Sequence, residues 1–448
     1  MPIWYSTLGM RNQTRLPAAT FQALFTQLIG GSTILALGRR CGLRRRCPPW
    51  LSVVELIQAL VFHGVRRTGT LAQAVKAMTG KVLTDSALSQ RRRLLPAALF
   101  EPIMGLALKP KADPRRHPEA FYQGLRLCGI DGSQFSVANT PQVKRQMCKA
   151  RSRRGRAAFP KVGVAVMVEL GLRNPLAAAL GPGGESEMVL ANRVAAAQPE
   201  RSLLLKDRYY GSAEALARSR TEGHRHSLVR VKRRLKRRLL KVYADGSALV
   251  EIGSGPTKRL VREVLGRVQR GGRGQATTVR LWTSLLDWRQ SPARELLAVY
   301  GRRWEQEVFY KELKVDLRST PRLRSHTPLT AVQEIAALIL AYAVLVDYRV
   351  QAAARGEVGV VRISFLKTLQ RVQGRWSCLE VSGDLLGPRG VRLVVQRTLR
   401  LMAQMAVPKR RQRTCPRALR QPVSRWPRLR KNTYRQGAVQ YSVGTIYV

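Results

Sequence analysis

Apolar residues in the first hundred positions of the chain recur at helical spacing. Between Leu51 and Val61 they stand three and four residues apart, as on the buried face of an amphipathic helix. No segment of Leu16–Leu108 shows the alternation of apolar and polar residues that is typical of a half-buried strand. The pattern therefore predicts an all-helical amino-terminal region.

Two short helices are predicted towards the end of this region. Leu71–Met78 has helical periodicity and is followed by Gly80, a residue type that commonly terminates helices. Asp85 or Ser86 can cap a second helix, which we expect to continue to Leu95. Two helices joined by a short turn form a helix-turn-helix-like layout, as in many DNA-binding domains.

The second of these helices is strongly basic. It carries Arg91, Arg92 and Arg93 directly after Gln90, and such side chains suit contacts with DNA phosphates or with the major groove. A helix that exposes its basic face to solvent and packs by its other face would contain the same residues. The sequence leaves both interpretations open.

The character of the chain changes after the segment 110–117, which is rich in Pro, Lys and Arg. Short apolar segments follow, and each is predicted to be a strand. These segments are Leu125–Ile130, Gln134–Val137, Val162–Leu170, Leu176–Leu180 and Ser202–Lys206. With a helix predicted over Ser186–Ala197, this order indicates a mixed α/β domain.

A second β-rich segment lies between residues 227 and 276. Charged and apolar residues alternate in it, and Asp245-Gly246 is a typical turn between two strands. We therefore predict a small β insertion. It is followed by a predicted strand at Leu281–Leu286 and a predicted helix over Glu295–Leu317.

The longest apolar run, Ile335–Val346, is predicted to be a buried helix, because a helix that spans a bilayer needs about 20 residues. No membrane partner is expected. Beyond Val346 the chain is helical and increasingly basic, and Lys409–Lys431 contains no acidic residue. We expect this carboxy-terminal region to have little core of its own.

Charge narrows the range of functions. The 448 residues include 80 Lys and Arg against 27 Asp and Glu, a formal charge of +53 that is spread along the whole chain. Such a chain is expected to bind DNA or RNA, because neutralised phosphates release condensed counterions. A ribosomal or packaging protein would be equally basic, but those proteins tend to be shorter and poorer in core residues than a chain with 45% hydrophobic residues.

The cellular location is predicted from the amino terminus and the cysteines. The first fifteen residues contain no apolar run before a cleavage site, so no signal peptide is expected. The six cysteines are scattered, without a CxxC pair or a histidine at zinc-finger spacing, which favours reduced thiols in the cytoplasm. His224 and His226 form an HxH pair, but no third metal ligand lies near them in the sequence.

Acidic residues in the apolar core are candidates for catalysis on a polyanion. Two-metal phosphodiester cleavage needs carboxylates that converge on two divalent ions about 3.5–4 Å apart. Asp131 is predicted to end the strand Leu127–Ile130, and Asp207 to end the strand Leu203–Lys206. Two acids at the ends of core strands could meet, although most Asp residues at strand ends form turns or cap helices.

A third acidic candidate lies in the predicted helix 295–317. The four residues expected to share one face of it are Tyr300, Arg303, Glu307 and Lys314. At 3.6 residues per turn their directions fall within about 60° of one another. The neighbouring acids point to other sides, so the geometry selects Glu307. An ordinary helix surface with ion pairs four residues apart would explain the charges but not Tyr300.

The spacing Tyr, two residues, Arg, three residues, Glu, six residues, Lys resembles the signature of the insertion-sequence-four family of DDE transposases. Three further segments resemble motifs of that family, in the family's order: IDGSQFSVANTP around Asp131, AFPKVGVAVMVEL, and LLLKDRYYGSAEAL around Asp207. The similarity runs from about Phe121 to Tyr348. Tyr209 stands where the family commonly has Gly, and Asn139 where an acid is common.

The resemblance implies a ribonuclease-H-like catalytic core with a β insertion, and cut-and-paste transposition through a hairpin at each transposon end. It implies that Asp131, Asp207 and Glu307 are catalytic and bind two Mg²⁺ ions, for which Mn²⁺ can substitute. The residues expected to contact DNA are Tyr300, Arg303 and Lys314, joined by Arg208, Arg91, Arg92, Trp282 and Trp288.

The expected partners are double-stranded DNA, both transposon ends and target, and a second copy of the chain in a homodimeric synaptic complex. The expected location is the nucleoid in the bacterial cytoplasm. The predicted domains are a helical DNA-binding domain (1–115), a catalytic core in two parts (119–226 and 281–348), the β insertion (227–280) and a basic carboxy-terminal region (349–448).

Hairpin formation requires a base to be withdrawn from the stack and held against an aromatic surface. Trp282 and Trp288, near the end of the predicted insertion, are candidates for this surface. For Trp282, which stands in an apolar run, packing in the core is the favoured alternative.

Two other functions fit much of this sequence. A metal-dependent nuclease on the same fold would cut DNA without joining it. A regulator derived from a transposase would bind DNA by its amino-terminal helices while its acidic site is inert. The presence of Asp131, Asp207 and Glu307 favours an active enzyme over the regulator.

Overall fold

The computed structural model describes residues 25–43, 50–67, 69–147, 149, 151–152, 155–217, 222–270, 277–318, 320–407, 413–414, 435–436 and 439–443. These residues form two units. Unit 1 contains the described residues of Met1–Phe121, Ile130–Ala197 and Glu305–Ala406, and unit 2 contains those of Tyr122–Gly129, Gln198–Trp304 and Val407–Val448. The described amino-terminal helices thus share a unit with two later stretches of the chain, whereas the sequence predicted a domain of their own over 1–115.

The chain alternates between helical and β-rich stretches. The α-helices are α1 (Gly31–Arg40), α2 (Val53–Arg66), α3 (Leu71–Thr79), α4 (Asp85–Leu94), α5 (Phe100–Ala107), α6 (Pro141–Gln146), α7 (Glu187–Ala195), α8 (Ala213–Ala217), α9 (Ala293–Gly301), α10 (Trp304–Lys311), α11 (Pro328–Gly356) and α12 (Phe365–Gln404).

The β-strands are β1 (Phe121–Tyr122), β2 (Leu125–Ser136), β3 (Arg151–Ser152), β4 (Gly155–Arg156), β5 (Lys161–Glu169), β6 (Asn174–Gly181), β7 (Ser202–Lys206), β8 (Arg225–Arg230), β9 (Arg238–Val242), β10 (Ala248–Ile252), β11 (Arg259–Arg270), β12 (Thr277–Thr283), β13 (Arg413–Thr414), β14 (Arg435–Gln436) and β15 (Val439–Val443). The mixed α/β class predicted from the sequence is confirmed.

Local capping explains where the amino-terminal helices begin and end. Helix α3 ends at Gly80, whose φ of 69° is the left-handed conformation that glycine adopts most readily. Helix α4 is capped by Thr84, whose side chain accepts a hydrogen bond from the backbone of Ala87. The predicted caps Asp85 and Ser86 lie inside the helix, because the extended residue that precedes the first turn is Thr84.

Helix α11 is the core helix of unit 1. Every residue of the apolar run Ile335–Val346 is buried, and the helix packs against α2, α5, α12 and β6. By length and composition α11 could cross a membrane, but 89% of its apolar window is buried inside the protein. Unit 1 also holds the strands β6, β5 and the end of β2, in that order, with Val164 opposite Leu180 in an antiparallel pair.

Helix α12 belongs to the same core. Its residues Leu369, Val372 and Leu379 are buried, and the ring of Trp376 lies 4.8 Å from that of Phe62 in α2. The expectation that the region after residue 349 has little core is therefore wrong for this helix. The acid-free segment 409–431 lies outside the described residues except for 413–414.

Unit 2 is a sheet with the strand order β2–β7–β8–β12–β11–β10–β9, and β15 pairs with β11. Strands β7 and β8 are parallel, whereas β8 to β12, β12 to β11, β11 to β10 and β10 to β9 are antiparallel. The predicted turn at Asp245-Gly246 joins β9 to β10, with Gly246 at a φ of 75°. The segment predicted as a β insertion is thus rich in strands, and it shares its sheet with β7 and the first residues of β2.

Candidate active site

Asp131 lies in the middle of strand β2, not at its end. Strand β2 continues from Leu125 to Ser136, past the strand end that was predicted at Asp131. Burial does change at this point, because Leu127–Ile130 are buried and Asp131 is half-buried. The apolar pattern therefore predicted correctly where β2 leaves the core. The strand end predicted at that point was wrong.

Glu187 packs against Gly132, the residue after Asp131, and this contact was not predicted from the sequence. A Cβ atom on Gly132 would overlap the Cγ of Glu187, so the glycine gives this side chain its space. Glu187 lies in the first turn of α7, which is capped by Ser186. In the sequence, only the glycine that follows Asp131 indicated that another side chain packs closely at this point.

Tyr310 links helix α10 to Asp131. Its hydroxyl donates a hydrogen bond of 2.7 Å to the backbone oxygen of Asp131. Burial raises the pKa of Tyr310 well above its ordinary value, and the negative charges of Asp131 and Glu187 raise it further, so the hydroxyl keeps its proton. Since Glu307 precedes Tyr310 by three residues on the helix, this bond fixes the turn that carries Glu307 against β2.

The other acids of this helical segment are engaged with protein groups. Glu305 accepts a hydrogen bond of 2.8 Å from a backbone amide, and Glu312 lies 3.2 Å from a buried arginine. Asp316 forms an ion pair of 2.8 Å with a lysine. These contacts give Glu305, Glu312 and Asp316 a role in the folded structure.

The helix 295–317 is interrupted, contrary to the prediction. Helix α9 ends at Gly301, Arg302 and Arg303 form a turn, and α10 begins at Trp304. The last six residues, Glu312–Leu317, form a π-helix, in which hydrogen bonds join residues five apart. A constant 3.6 residues per turn therefore does not apply, so the helical repeat no longer supports the common face predicted for Tyr300, Arg303, Glu307 and Lys314. Glycine within a helix weakens it, which agrees with the break after Gly301.

Lys314 lies beside the strand that carries Asp131. Its Nζ donates to Ser133 Oγ at 3.0 Å and to the backbone oxygen of Gln134 at 2.9 Å. Burial lowers the pKa of Lys314, and the positive charges of Arg318 and Lys161 lower it further. A group of cations next to an acidic strand suits a phosphate held close to a bound metal.

Asp207 ends strand β7 as predicted. All five residues of β7 are buried, and Asp207 is the first residue after it, before the short 3₁₀ turn Arg208–Tyr210. Its side chain forms no capping hydrogen bond to that turn, so the ordinary structural role of an aspartate at this position is not realised.

Tyr300 lies close to Asp207 within unit 2. Its hydroxyl donates to the backbone oxygen of Lys206 at 3.3 Å. Burial raises the pKa of Tyr300 above its ordinary value, and the charge of Asp207 adds to this effect while Arg303 and Arg230 oppose it. Both predicted catalytic aspartates therefore have a tyrosine hydroxyl bonded to the backbone nearby. Tyr310 binds the backbone oxygen of Asp131 itself, and Tyr300 binds that of Lys206, one residue before Asp207.

Comparison with known proteins establishes the family. Residues 123–344 match the family model of the transposase DDE domain, a range that includes Asp131, Asp207 and Glu307. The transposase InsG for insertion sequence element IS4 of Escherichia coli (strain K12) is 27% identical over 330 residues, which cover 69% of this chain and 71% of InsG. This chain belongs to the IS4 family of DDE transposases. The putative transposase InsZ of the same strain is 27% identical over 236 residues, 51% of this chain and 78% of InsZ.

Among solved structures, the transposase resembles the piggyBac transposase synaptic complex with hairpin DNA, determined by cryo-electron microscopy. The TM-score is 0.44 at 10% sequence identity, and the match covers 87% of this chain and 85% of the other.

Arg92, predicted to contact DNA, instead joins two helices of the transposase. Its Nε donates to the side chain of Gln333 at 3.2 Å, and its Nη2 donates to the backbone oxygen of Thr330 at 3.0 Å. Burial lowers its pKa. The packing alternative therefore applies to Arg92, while Arg91 is half-buried and Arg93 is exposed.

The two tryptophans predicted as base platforms differ in exposure. Trp282 is 1% exposed and donates from Nε1 to the carboxylate of Glu263 at 2.8 Å, so its role is core packing and it presents no face to a base. Trp288 is half-buried and its ring stacks on Tyr243 at 6.1 Å. Trp304, at the start of α10, is 54% exposed.

The donor chemistry of the site fits a divalent metal in part. Asp131 and Glu307 in unit 1, and Asp207 in unit 2, offer the carboxylate oxygens that Mg²⁺ prefers. Within the described residues, no group of three or more His, Cys, Asp or Glu side chains is placed to hold one ion. The residue types therefore fit the divalent metal that a DDE domain implies.

Proposed function

We propose that this transposase moves its DNA element by cut-and-paste transposition, through two-metal phosphoryl transfer on a ribonuclease-H-like core and with hairpin ends. The observation that carries the proposal is the transposase DDE domain match, which contains all three candidate carboxylates. The anchoring of Asp131 by Tyr310 and of the Asp207 strand end by Tyr300 supports it, because catalytic carboxylates must be held rigidly.

In this proposal Asp131, Asp207 and Glu307 supply the carboxylates that bind two Mg²⁺ ions, for which Mn²⁺ can substitute. Bound ions of this kind activate the attacking oxygen and stabilise the leaving one. Lys314 holds a DNA phosphate beside Asp131, because its ammonium is already fixed at Ser133. Arg303 binds the phosphate at the transposon end, beside Asp207.

The proposed partners are double-stranded DNA, as transposon end and as target, and a second copy of the chain. A formal charge of +53 supports DNA as the partner. A dimer is proposed because both ends must be cut in one assembly. Cross-linking of the end-bound complex followed by mass measurement tests this, and a cleaving complex with one protein copy contradicts it.

The experiment is cleavage of a supercoiled plasmid that carries the natural element ends, with Mg²⁺, by the wild type and by Glu307→Gln. Glu200→Gln is the matched control, since that side chain is 72% exposed. We expect the wild type and the control to release the element, and Glu307→Gln to bind the ends without cutting. Chelation of the metal should abolish cutting and spare binding.

The outcomes separate the alternatives. Equal cleavage by the wild type and Glu307→Gln contradicts the assignment of Glu307. Cleavage without insertion into a target plasmid supports a nuclease, and end binding without any cleavage supports the regulator. Hairpin ends are expected on a denaturing gel as strands of doubled length, and their absence during active cutting contradicts that part of the proposal.

A further inference from the structure

Unit 2 contains a pocket that lies apart from the candidate carboxylates. Its volume is about 370 Å³, within the range of about 300–1,000 Å³ that is typical of sites for small molecules. Arg201 and His224 lie in its wall, and they directly precede the strands β7 and β8. Asp207 follows the last residue of β7. At about 3.3 Å per residue, β7 puts roughly 20 Å between the backbones of Arg201 and Asp207.

The loop that follows β12 closes the other side of the pocket. Residues 284–291 form this loop, and β12 is the neighbour of β8 in the sheet. The loop returns to the start of β2, where Gln123 Nε2 donates to the backbone oxygen of Gln290 and Ser291 Oγ donates to Gln123 Oε1 at 3.1 Å. The pocket is therefore bounded by strand starts on one side and by a tethered loop on the other.

Arg262 holds this loop from the core of unit 2. It is completely buried, and its guanidinium donates to the backbone oxygens of Leu285 at 3.3 Å, Asp287 at 3.1 Å and Ser291. Within the loop, Asp287 Oδ1 accepts a hydrogen bond of 3.2 Å from the backbone amide of Gln290. The wall is thus held in place before a ligand binds, and such preorganisation lowers the free-energy cost of binding.

Residues with a left-handed backbone are concentrated around the pocket. Six non-glycine residues in the described part of the chain have a positive φ, and three of them line it: Gln123 (50°), Arg201 (47°) and His224 (54°). The two-residue turn Gln123-Gly124 between β1 and β2 accounts for the first. Arg201 is held in this conformation by its N–H, which donates to Gly223 at 2.8 Å. Strained residues of this kind cluster at ligand-binding sites.

The charge of the pocket differs from that of the whole chain. Arg201 and Asp287 are the only charged residues of its described lining, and they balance, in a chain with a formal charge of +53. Burial lowers the pKa of His226, and the charge of His224 lowers it further, so the His226 imidazole is neutral at pH 7. A DNA backbone requires an excess of positive charge. The pocket instead suits a small ligand with one anionic end.

Two side chains on the strand side can hold that anionic end. Strands β7 and β8 are parallel neighbours, with Ser202 opposite Arg225, so Arg201 and His224 stand side by side on strands about 4.8 Å apart. In the described part of the chain, neither of their side chains has a hydrogen bond or an ion pair. A guanidinium binds two oxygens of a phosphate at once, and an adjacent imidazole adds a third donor.

The loop side offers hydrogen-bonding groups of another kind. Asp287 uses only Oδ1 within the loop, and the carboxamide of Gln290 has no hydrogen bond in the described part of the chain. A carboxylate accepts from the amino group of a nucleobase, and a carboxamide can both donate to its edge and accept from it. Leu125, Leu285 and Leu286 supply apolar surface for the faces of the ring.

We propose that this pocket binds a nucleoside monophosphate, with the phosphate at Arg201 and His224 and the amino group of the base at Asp287. This binding is separate from transposition, because the pocket and Asp207 lie at opposite ends of β7. Cytosine is preferred to uracil, which has a carbonyl oxygen in place of the amino group and is repelled by the carboxylate.

The test is calorimetric titration of the full chain with cytidine monophosphate and, separately, with uridine monophosphate. We expect the cytidine nucleotide to bind at least about tenfold more tightly, as one hydrogen bond to a charged group provides. Equal affinities for the two nucleotides, or no binding of either, overturn the proposal. Inorganic phosphate should bind more weakly than cytidine monophosphate; equal binding shows a simple anion site and also overturns it.

Arg201→Gln tests the phosphate end of the pocket. It should weaken the binding of both nucleotides at least about tenfold and leave their ratio unchanged. The matched control is Arg294→Gln, an exposed arginine of α9 that does not line the pocket. The control should bind both nucleotides as the wild type does. Equal losses in the two variants contradict the assignment of Arg201.

Asp287→Asn tests the base end. Asparagine keeps the oxygen that accepts from the loop amides and removes the carboxylate. The ratio of the two affinities should fall from at least about tenfold to about one, whereas a purely structural role would weaken both nucleotides alike. An unchanged ratio refutes the role of Asp287.

DNA binding distinguishes this pocket from a DNA-binding surface. The affinity for a labelled duplex, measured by fluorescence anisotropy, should be the same in Arg201→Gln and Arg294→Gln, since each loses one charge. If Arg201→Gln weakens DNA binding selectively and keeps nucleotide binding, the pocket belongs to the DNA-binding surface and the proposal is wrong. Circular dichroism checks that each variant is folded. Since no cleavage is measured, failure of this proposal is distinguishable from failure of the proposed transposition chemistry.

Discussion

Glu312 and Glu307 lie five residues apart in one helical segment, and the same substitution to glutamine should affect mainly stability at Glu312 and mainly DNA cleavage at Glu307. Glu312 is 5% exposed, and it lies 3.2 Å from Arg173 and 3.9 Å from Arg349. The hydroxyl of Tyr342 donates to it at 2.6 Å. It is the only acid within ion-pair distance of these two buried guanidiniums in the described part of the chain.

Glu312→Gln keeps the shape of the side chain and removes its charge. Arg173 and Arg349 then remain buried without a carboxylate at ion-pair distance, and loss of one partner of a buried ion pair destabilises by about 3–5 kcal/mol. Arg349 cannot relieve this by moving to solvent, because it is completely buried and its side chain is bonded to the backbone oxygens of Ile363 and Val360. We therefore expect a loss of about 3–5 kcal/mol in the free energy of unfolding.

Glu307→Gln is the matched change. Glu307 is half-buried in α10, and we expect a loss below about 1 kcal/mol together with loss of DNA cleavage. Unfolding by urea, followed by the far-ultraviolet circular dichroism of the helices, measures both variants. The reasoning is refuted if Glu312→Gln stays within about 1 kcal/mol of the wild type, or if Glu307→Gln is destabilised as much as Glu312→Gln.

Three further predictions concern stability, each checked by urea titration. Arg92→Ala should lower the free energy of unfolding by about 1–3 kcal/mol, because the hydrogen bonds of Arg92 to α11 disappear. Arg93 is exposed, and Arg93→Ala should lower it by less than about 0.5 kcal/mol. Equal losses in the two variants would contradict the role of Arg92 in joining the helices. Trp282→Phe leaves the buried carboxylate of Glu263 with one hydrogen-bond donor fewer and should lower the free energy of unfolding by about 1–3 kcal/mol. An unchanged midpoint of the urea titration would contradict this. Burial lowers the pKa of His63 from its ordinary 6.5, so the unfolded chain takes up the proton first as the pH falls. Stability should therefore be lost as the pH falls below about 6.5, and less so in His63→Asn; identical pH profiles would rule out His63 as the cause.

The parts of the fold that depend on local patterns were predictable from the sequence. Helix α3 and its terminator Gly80, the core helix around Ile335–Val346 and the β9–β10 turn follow from periodicity and turn chemistry, which act over a few residues. The end of β7 at Asp207 was predictable for the same reason. In each case a change from apolar to polar residues coincides with a change in backbone conformation.

The parts that depend on distant contacts were not predictable. Strand β2 continues past Asp131 because strand pairing, which local polarity does not reveal, keeps the backbone extended. The side chain of Arg92 was assigned to DNA because no local feature showed that Gln333, 241 residues later, accepts its hydrogen bond. The π-helical turn after Lys311 altered the direction of Lys314 in a way that a constant helical repeat cannot describe.

The composition of unit 1 from three separate stretches of chain has a consequence for synthesis. Helices α2, α4 and α5 pack against α11, which the ribosome completes only at residue 356. Until then their apolar faces lack their principal partner and must be shielded by transient contacts or chaperones. A product terminated before α11, through a nonsense codon or a frameshift, would lack this shared core helix. We expect such shortened products to be degraded instead of accumulating as folded DNA-binding competitors of the full-length transposase.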